Sequence, residues 1–267
     1  MKIKFPRREK QRYYRYHYTF LLNVFKEAGC DIELCPSTEL DTTRYTINID
    51  GKDVLIDVSD FPACYFPNYI PCFKYHYTEG EHEDCKSLYP LGAMSFYNWS
   101  KYFKLEKEIK YKCNNDIILN NQRPYAGALK RRRLVQKLLK DRYGNKVDTT
   151  LTDQKIYWKK ANNCLVSVHV PGARNDMLDR GQFQMMAFGV CTISPYLKTI
   201  LPFNKKLIPG THYVSCKPDY SDLIEKIEWC KTHRKECIQI CKNAQGLFQQ
   251  YCTPKAIVKW IDQCLKQ

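Results

Sequence analysis

The chain has 267 residues, of which 44% are hydrophobic and 27% charged; this excludes a disordered chain and leaves room for one large domain or two of roughly 100–150 residues. A formal charge of +15 at pH 7 favours anionic partners: nucleic acid, acidic membrane surfaces or phosphorylated small molecules. No apolar run reaches the ~18 residues that a membrane-spanning helix needs, so no membrane span is expected.

In chain order, the apolar side of residues 5–28 (Tyr14, Tyr18, Leu21, Leu22, Val24, Phe25) predicts one helix stopped by Gly29. Two β-rich runs, 44–49 and 54–58, flank the turn signal Asp50-Gly51. The second run leads into Asp57-Val58-Ser59-Asp60-Phe61-Pro62. Residues 70–75 read as a short strand, 88–96 as a loop and 97–108 as a helix. The basic stretch 107–115 reads as a linker. A short strand at 117–119 precedes the loop Asn120-Asn121-Gln122-Arg123, and a helix over 128–143 turns Leu134, Leu138 and Leu139 inward. Residues 163–195 then predict strand, loop, helix and strand. Leu165, Val166, Val168 and Val170 form the buried strand, Pro171-Gly172 break it, Phe183, Met186 and Ala187 fall at helical spacing for the helix's buried face, and Gly189 ends the helix. A strand at 213–216, helices near 220–232 and 234–250, and a helix opened by Thr253-Pro254 complete the chain.

This alternation predicts an α/β fold with parallel sheets. Its expected organisation is an N-terminal half over 1–112, a second half over 113–252 and a final helix over 253–267, with a ligand cleft between the halves.

In such sheets, ligands bind outside the carboxyl ends of strands, and helix N-termini hold anions. Gly172, Arg174, Asp176, Arg180 and Phe183 surround one such position. Arg123 stands in another, where its planar fork suits a phosphate. Solvated arginines on an ordinary strand–helix–strand unit are the alternative. At least two of Lys130, Arg131, Arg132 and Arg133 are expected on a solvated helix face. Asp60, just past a strand, is a candidate general base, or else a turn cap. Tyr75 and His76 are candidate acceptor or sugar contacts.

No Gly-Lys-Ser/Thr phosphate loop, Gly-x-Gly-x-x-Gly fingerprint or post-strand Asp-x-Asp pair occurs, so no metal-held nucleotide is expected. Cys230, His233, Cys237 and Cys241 have metal-ligand chemistry, but on one continuous helix they form a stripe that cannot wrap a tetrahedral ion. Core packing is the reading unless the helix breaks near Thr232. Residues 1–19 contain no apolar signal segment, so a cytoplasmic chain with reduced, buried cysteines is expected despite its 14 Cys.

Taken in order, these pieces resemble the family-90 glycosyltransferases, which include protein O-glucosyltransferases and capsule-associated xylosyltransferases. The likeness runs from Ile56 to Trp260. Ile56-Asp57-Val58-Ser59-Asp60-Phe61-Pro62 resembles the family's Asn-Val-Arg-Asp-Tyr-Pro, which places its proposed base on Asp60. Ile70-Pro71-Cys72-Phe73 is similar to Ile-Pro-Val-Phe, and Tyr89-Pro90 to the family's Tyr-Pro. Asn121-Gln122-Arg123 resembles the Gly-Ser-Arg donor loop, and Arg180 with Phe183 the Phe-Arg-Phe segment. Thr211-His212-Tyr213-Val214 and Tyr220-Ser221-Asp222-Leu223 resemble the family's His-Tyr-Ile-Pro-Val and Asp-Leu-Ser stretches.

The resemblance implies a GT-B fold, meaning two Rossmann-like halves, a cleft and a C-terminal crossover helix. It also implies a UDP-sugar donor, UDP-xylose or UDP-glucose, and a glycan or glycoprotein acceptor. The chain is short for the family, and Gln184 stands where the retaining pattern has Glu, so an inverting, metal-independent transfer without a cofactor is expected. In size it is similar to glycosyltransferases of large DNA viruses that act in the host cytoplasm. A basic nucleic-acid-binding protein and an inactive glycan-binding GT-B domain are the other two readings.

Overall fold

Alternation decides the start of the chain. Ile3 and Phe5 point inward while Lys2 and Lys4 point out, so Lys2–Pro6 is a strand, β1, and not the start of a helix. Helix α1 runs Arg15–Glu27 among the described residues, with Leu21, Val24 and Phe25 buried. Phe5 packs edge-on against Tyr18 and Phe25, and the Tyr18 hydroxyl donates to the Pro6 carbonyl. The computed structural model describes the whole chain except residues 8–14, 37–38, 42, 60–68, 83–86, 93–95, 97, 124–125 and 173.

After α1 come β2 (Asp31–Cys35), β3 (Glu39–Asp41), β4 (Arg44–Ile49), β5 (Lys52–Asp57), β6 (Cys72–Lys74), β7 (Leu88–Pro90) and helix α2 (Trp99–Glu108). The strands form one mixed sheet in the order β2-β1-β4-β5-β6-β7, with β3 paired to β4. Asp50 and Gly51 are the two central residues of the β4–β5 hairpin, both at positive φ (49° and 90°), the type I′ geometry that matches strand twist. Residues 88–96, expected as loop, contain β7, which lies at the end of the sheet order where Pro90 is tolerated.

The next elements are β8 (Ile118–Leu119), α3 (Leu129–Tyr143), β9 (Val147–Asp148), α4 (Gln154–Lys160), β10 (Val166–Val168), α5 (Arg180–Ala187) and β11 (Thr192–Pro195). Then follow the small hairpin β12 (Ile200–Leu201) and β13 (Lys205–Lys206), β14 (Val214–Cys216), α6 (Leu223–Thr232), α7 (Arg234–Tyr251) and α8 (Pro254–Leu265).

The chain divides into two compact units. Unit 1 is Met1–Tyr102, Thr199–Lys206 and Gln250–Gln267; unit 2 is Phe103–Lys198 and Leu207–Gln249. Within unit 1, α8 packs on α1 and the Trp260 indole donates to the Pro90 carbonyl at 2.8 Å. Unit 2 has a wholly parallel five-stranded sheet, β14-β11-β10-β8-β9. Its strands β8, β10 and β11 are buried at every residue. In α3, Val135 and Leu139 are buried one turn apart, whereas Leu134, expected inward, is 57% exposed: one residue is about 100° around a helix. Gly189 closes α5 with φ +68°, as its position predicts. This is a mixed α/β architecture with parallel sheets.

Candidate functional site

In chain order the parallel sheet of unit 2 reads 5-4-3-1-2. From β8 the chain steps to β9 on one side, then crosses back to β10 on the other. The position beyond the carboxyl ends of β8 and β10 is therefore a topological switch point, the usual ligand position in open α/β sheets.

The loop after β8 is stitched to the loop after β10 by side-chain amides. Gln122 Oε1 accepts from the Val170 amide at 2.6 Å, and its Nε2 donates to the Val170 carbonyl at 3.0 Å and to Asp179 Oδ2 at 2.8 Å. Asn120 donates to the Val168 carbonyl at 2.9 Å, and Asn121 to Asp148 Oδ1 at 3.1 Å. With Asn121 and Gln122 turned to the framework, Arg123 is the exposed member of the triplet.

The basic run on α3 splits in two. Lys130 and Arg133 are exposed, while Arg131 and Arg132 turn to the loops. Arg131 donates to the Gly172 carbonyl at 2.6 Å; Arg132 donates to Val170 (3.1 Å) and to the Arg123 carbonyl (2.6 Å).

The loop after β10 also binds the loops after β11 and β14. Arg174 grips Asp176 through two nitrogens, at 3.1 and 3.0 Å, and Lys198 lies 3.5 Å from the same carboxylate. Burial pushes the Asp176 carboxyl up, but Arg174 and Lys198 outweigh it and hold it below the ordinary carboxylate range. Asn175 donates to the Pro218 carbonyl at 2.8 Å and accepts from the Tyr220 hydroxyl at 2.8 Å.

Three expectations change here. The start of α5 is capped by the chain's own carboxylate: Asp179 Oδ1 accepts from the Gln182 amide at 2.9 Å, so that amide does not receive an external anion. Phe183 is buried against Phe248, with ring centroids 5.1 Å apart, and does not line the loop. Arg174 is committed to Asp176. Arg123 and Arg180 are the exposed arginines among the predicted donor-binding residues.

Asp179 and His169 were not singled out from sequence. The signal for Asp179 was present in Asp179-Arg-Gly-Gln182, a capping-box pattern. Beneath the loops runs a buried polar row. Ser167 Oγ lies 2.9 Å from His169 Nε2, and His169 Nδ1 lies 3.4 Å from Asp179. Burial pushes Asp179 up, but His169 and the Gln182 amide outweigh it and lower its carboxyl. Ser167 is only 2% exposed, so the row holds the loop and offers no reachable nucleophile. Gly181 sits close under this row: a Cβ there would stand 3.1 Å from Asp179 Oδ1 and 3.4 Å from His169 Cε1, a tight fit that the Asp179 side chain would have to ease.

In unit 1, Asp60 lies outside the described residues. The strand that leads to it is firmly fixed: the fully buried Lys74 ammonium contacts Asp57 Oδ2 at 2.9 Å and donates to Ser59 Oγ at 3.0 Å. Tyr75, expected as an acceptor or sugar contact, lies in the core. Its side chain is buried and its hydroxyl donates to the His17 carbonyl at 2.7 Å; burial, then Tyr45, pushes its phenol well up. His76 is half-buried, its ring 6.1 Å from that of His17.

The metal-ligand set considered from sequence is redrawn. His233 stacks on Trp229 at 4.7 Å and its Nδ1 bonds the Trp229 carbonyl, whereas Cys191, Cys230 and Cys237 hold their thiols within 4.8 Å of one another.

No family model matches the chain. A 63-residue stretch is 36% identical to Uncharacterized protein 179R of Invertebrate iridescent virus 6, and a 65-residue stretch is 29% identical to Uncharacterized protein 035R of Invertebrate iridescent virus 3. Each match covers 24% of this chain, and the chain spans 5% and 6% of the length of those two relatives. No helix among the described residues is long and apolar enough to cross a membrane.

Proposed function

We propose that the chain is an inverting, UDP-sugar-dependent glycosyltransferase of the GT-B type that transfers xylose or glucose to a hydroxyl of a glycan or glycoprotein. The observation that carries this reading is the switch point of unit 2. The loops after β8 and β10 are locked together there by Gln122, with exposed Arg123 and Arg180 beside them. A sugar diphosphate is the ligand class that such a position, rimmed by arginine, suits.

The ordered resemblance to the family-90 enzymes supplies the chemistry. Asp60 takes the proton of the acceptor hydroxyl, the oxygen attacks the anomeric carbon, and the bond to the diphosphate breaks with its electron pair leaving on UDP. Arg123 and Arg180 stabilise that developing charge, a role that the capped α5 amide leaves to side chains. Gln184 supports inversion: it is buried and its Oε1 accepts from the Trp158 indole at 3.1 Å, a hydrogen bond within the fold. The absence of a post-strand Asp-x-Asp pair supports a diphosphate held without a metal.

The test is a melting and transfer panel with UDP-xylose, UDP-glucose, UDP-galactose, UDP-N-acetylglucosamine, GDP-sugars and UDP, run without divalent cations. One UDP-sugar at 100 times its dissociation constant stabilises the chain by about 2.7 kcal/mol. If none binds while duplex DNA does, with affinity falling steeply as salt rises, the charge marks a nucleic-acid-binding protein and this reading is wrong.

A further inference from the structure

We propose that Cys191, Cys230, Cys237 and Cys241 form a closed structural site for a zinc ion in the core of unit 2. The site is independent of the transferase reading.

The geometry rests on a break in the helix. α6 ends at Thr232 and α7 starts at Arg234, so Cys230 and Cys237 lie on different helices across a corner and not along one stripe. Cys191 enters from a third direction, immediately before β11. The three sulfurs lie within 4.8 Å of one another. Zinc–sulfur bonds of about 2.3 Å in a tetrahedron place sulfurs about 3.8 Å apart, so only a small contraction is needed. Cys241 follows Cys237 by four residues, hence on the same face of α7, and offers the fourth thiol. All four residues are buried.

The composition of the cluster selects the occupant. Every described cysteine is a free thiol, and a single disulfide would use two of these four sulfurs and leave the others. Thiolate sulfur without histidine or carboxylate suits Zn2+. Four protein ligands close the coordination sphere against water, which makes the site structural and not catalytic. One feature favours thiolates there: Cys237 lies in the first turn of α7. The bound ion would tie the α6–α7 corner to β11, the strand beside β10.

The experiment uses the full chain purified without chelator and measures its metal content and melting temperature. The expected result is one zinc per chain and a melting temperature that falls on stripping with a strong chelator and returns on adding Zn2+. Replacement by Co2+ should give the visible bands of a tetrahedral thiolate site. Cys191→Ser and Cys237→Ser should lose the metal, while Cys252→Ser and Cys264→Ser, buried cysteines of unit 1, keep it. A native chain that purifies without metal, with a melting temperature indifferent to zinc, overturns the proposal whatever the variants do. So does intact mass showing a disulfide among the four.

Discussion

Gln122 holds Val170 from both sides, its Oε1 accepting from the amide and its Nε2 donating to the carbonyl. One side chain thus reproduces a strand-like pair of bonds past the ends of β8 and β10, where the backbones no longer pair. Gln122→Ala removes both bonds and one to Asp179. The expected cost is about 1–3 kcal/mol, read by denaturant melting, with weaker UDP binding. Gln122→Glu should be as damaging, because a carboxylate would face Asp179 and the Val170 carbonyl.

Asp179 makes stability depend on pH. Its carboxyl titrates lower in the folded chain than unfolded, so it contributes stability above the unfolded value, near ~3.9, and that contribution is lost as pH falls through the lower folded value. Asp179→Asn should flatten the acid limb of the stability curve below about pH 4. Asp179→Ala also loses the α5 cap, at about 0.5–2 kcal/mol. An acid limb unchanged in Asp179→Asn would show that other carboxylates set it.

Lys74 and Asp57 form a fully buried pair. Lys74→Met leaves the Asp57 carboxylate with the Ser59 amide but no compensating charge in the interior and should cost about 3–5 kcal/mol, while the double change Lys74→Met with Asp57→Leu recovers most of it. A double-mutant cycle reads the difference.

For the proposed transfer, Asp60→Asn should lower turnover roughly 100- to 10,000-fold with little change in UDP binding. Arg123→Ala and Arg180→Ala should each weaken UDP binding by about 10- to 100-fold, the worth of a charged hydrogen bond. Near-wild-type transfer by Asp60→Asn would remove the base assignment.

Much of unit 2 was legible because its strands are buried on both faces and its helices amphipathic. The apolar run at 165–170, the breaker Pro171-Gly172 and the stop at Gly189 all stand where composition put them. Not every strand was legible. β9 is two residues long, too short to show a period, and the alternation of β1 runs into the longer helical pattern that starts at Phe5. The spacing of Phe183 with Met186 and Ala187 placed it on the buried face of α5, where it lies, whereas Tyr75 was harder, because an aromatic side chain next to a loop reads the same whether it turns outward or into the core. The bond between Gln122 and Val170 joins residues 48 apart, and no local pattern encodes that.

Residues Gln250–Gln267 complete the unit that Met1 begins. During synthesis, therefore, the unit started first is finished last. Unit 2 has all its strands before α8 leaves the ribosome, whereas α1 waits for its packing partner and Pro90 for the Trp260 indole. A released chain ending at residue 249 should keep a protease-resistant unit 2 while unit 1, lacking α8, stays unfinished and exposes apolar surface.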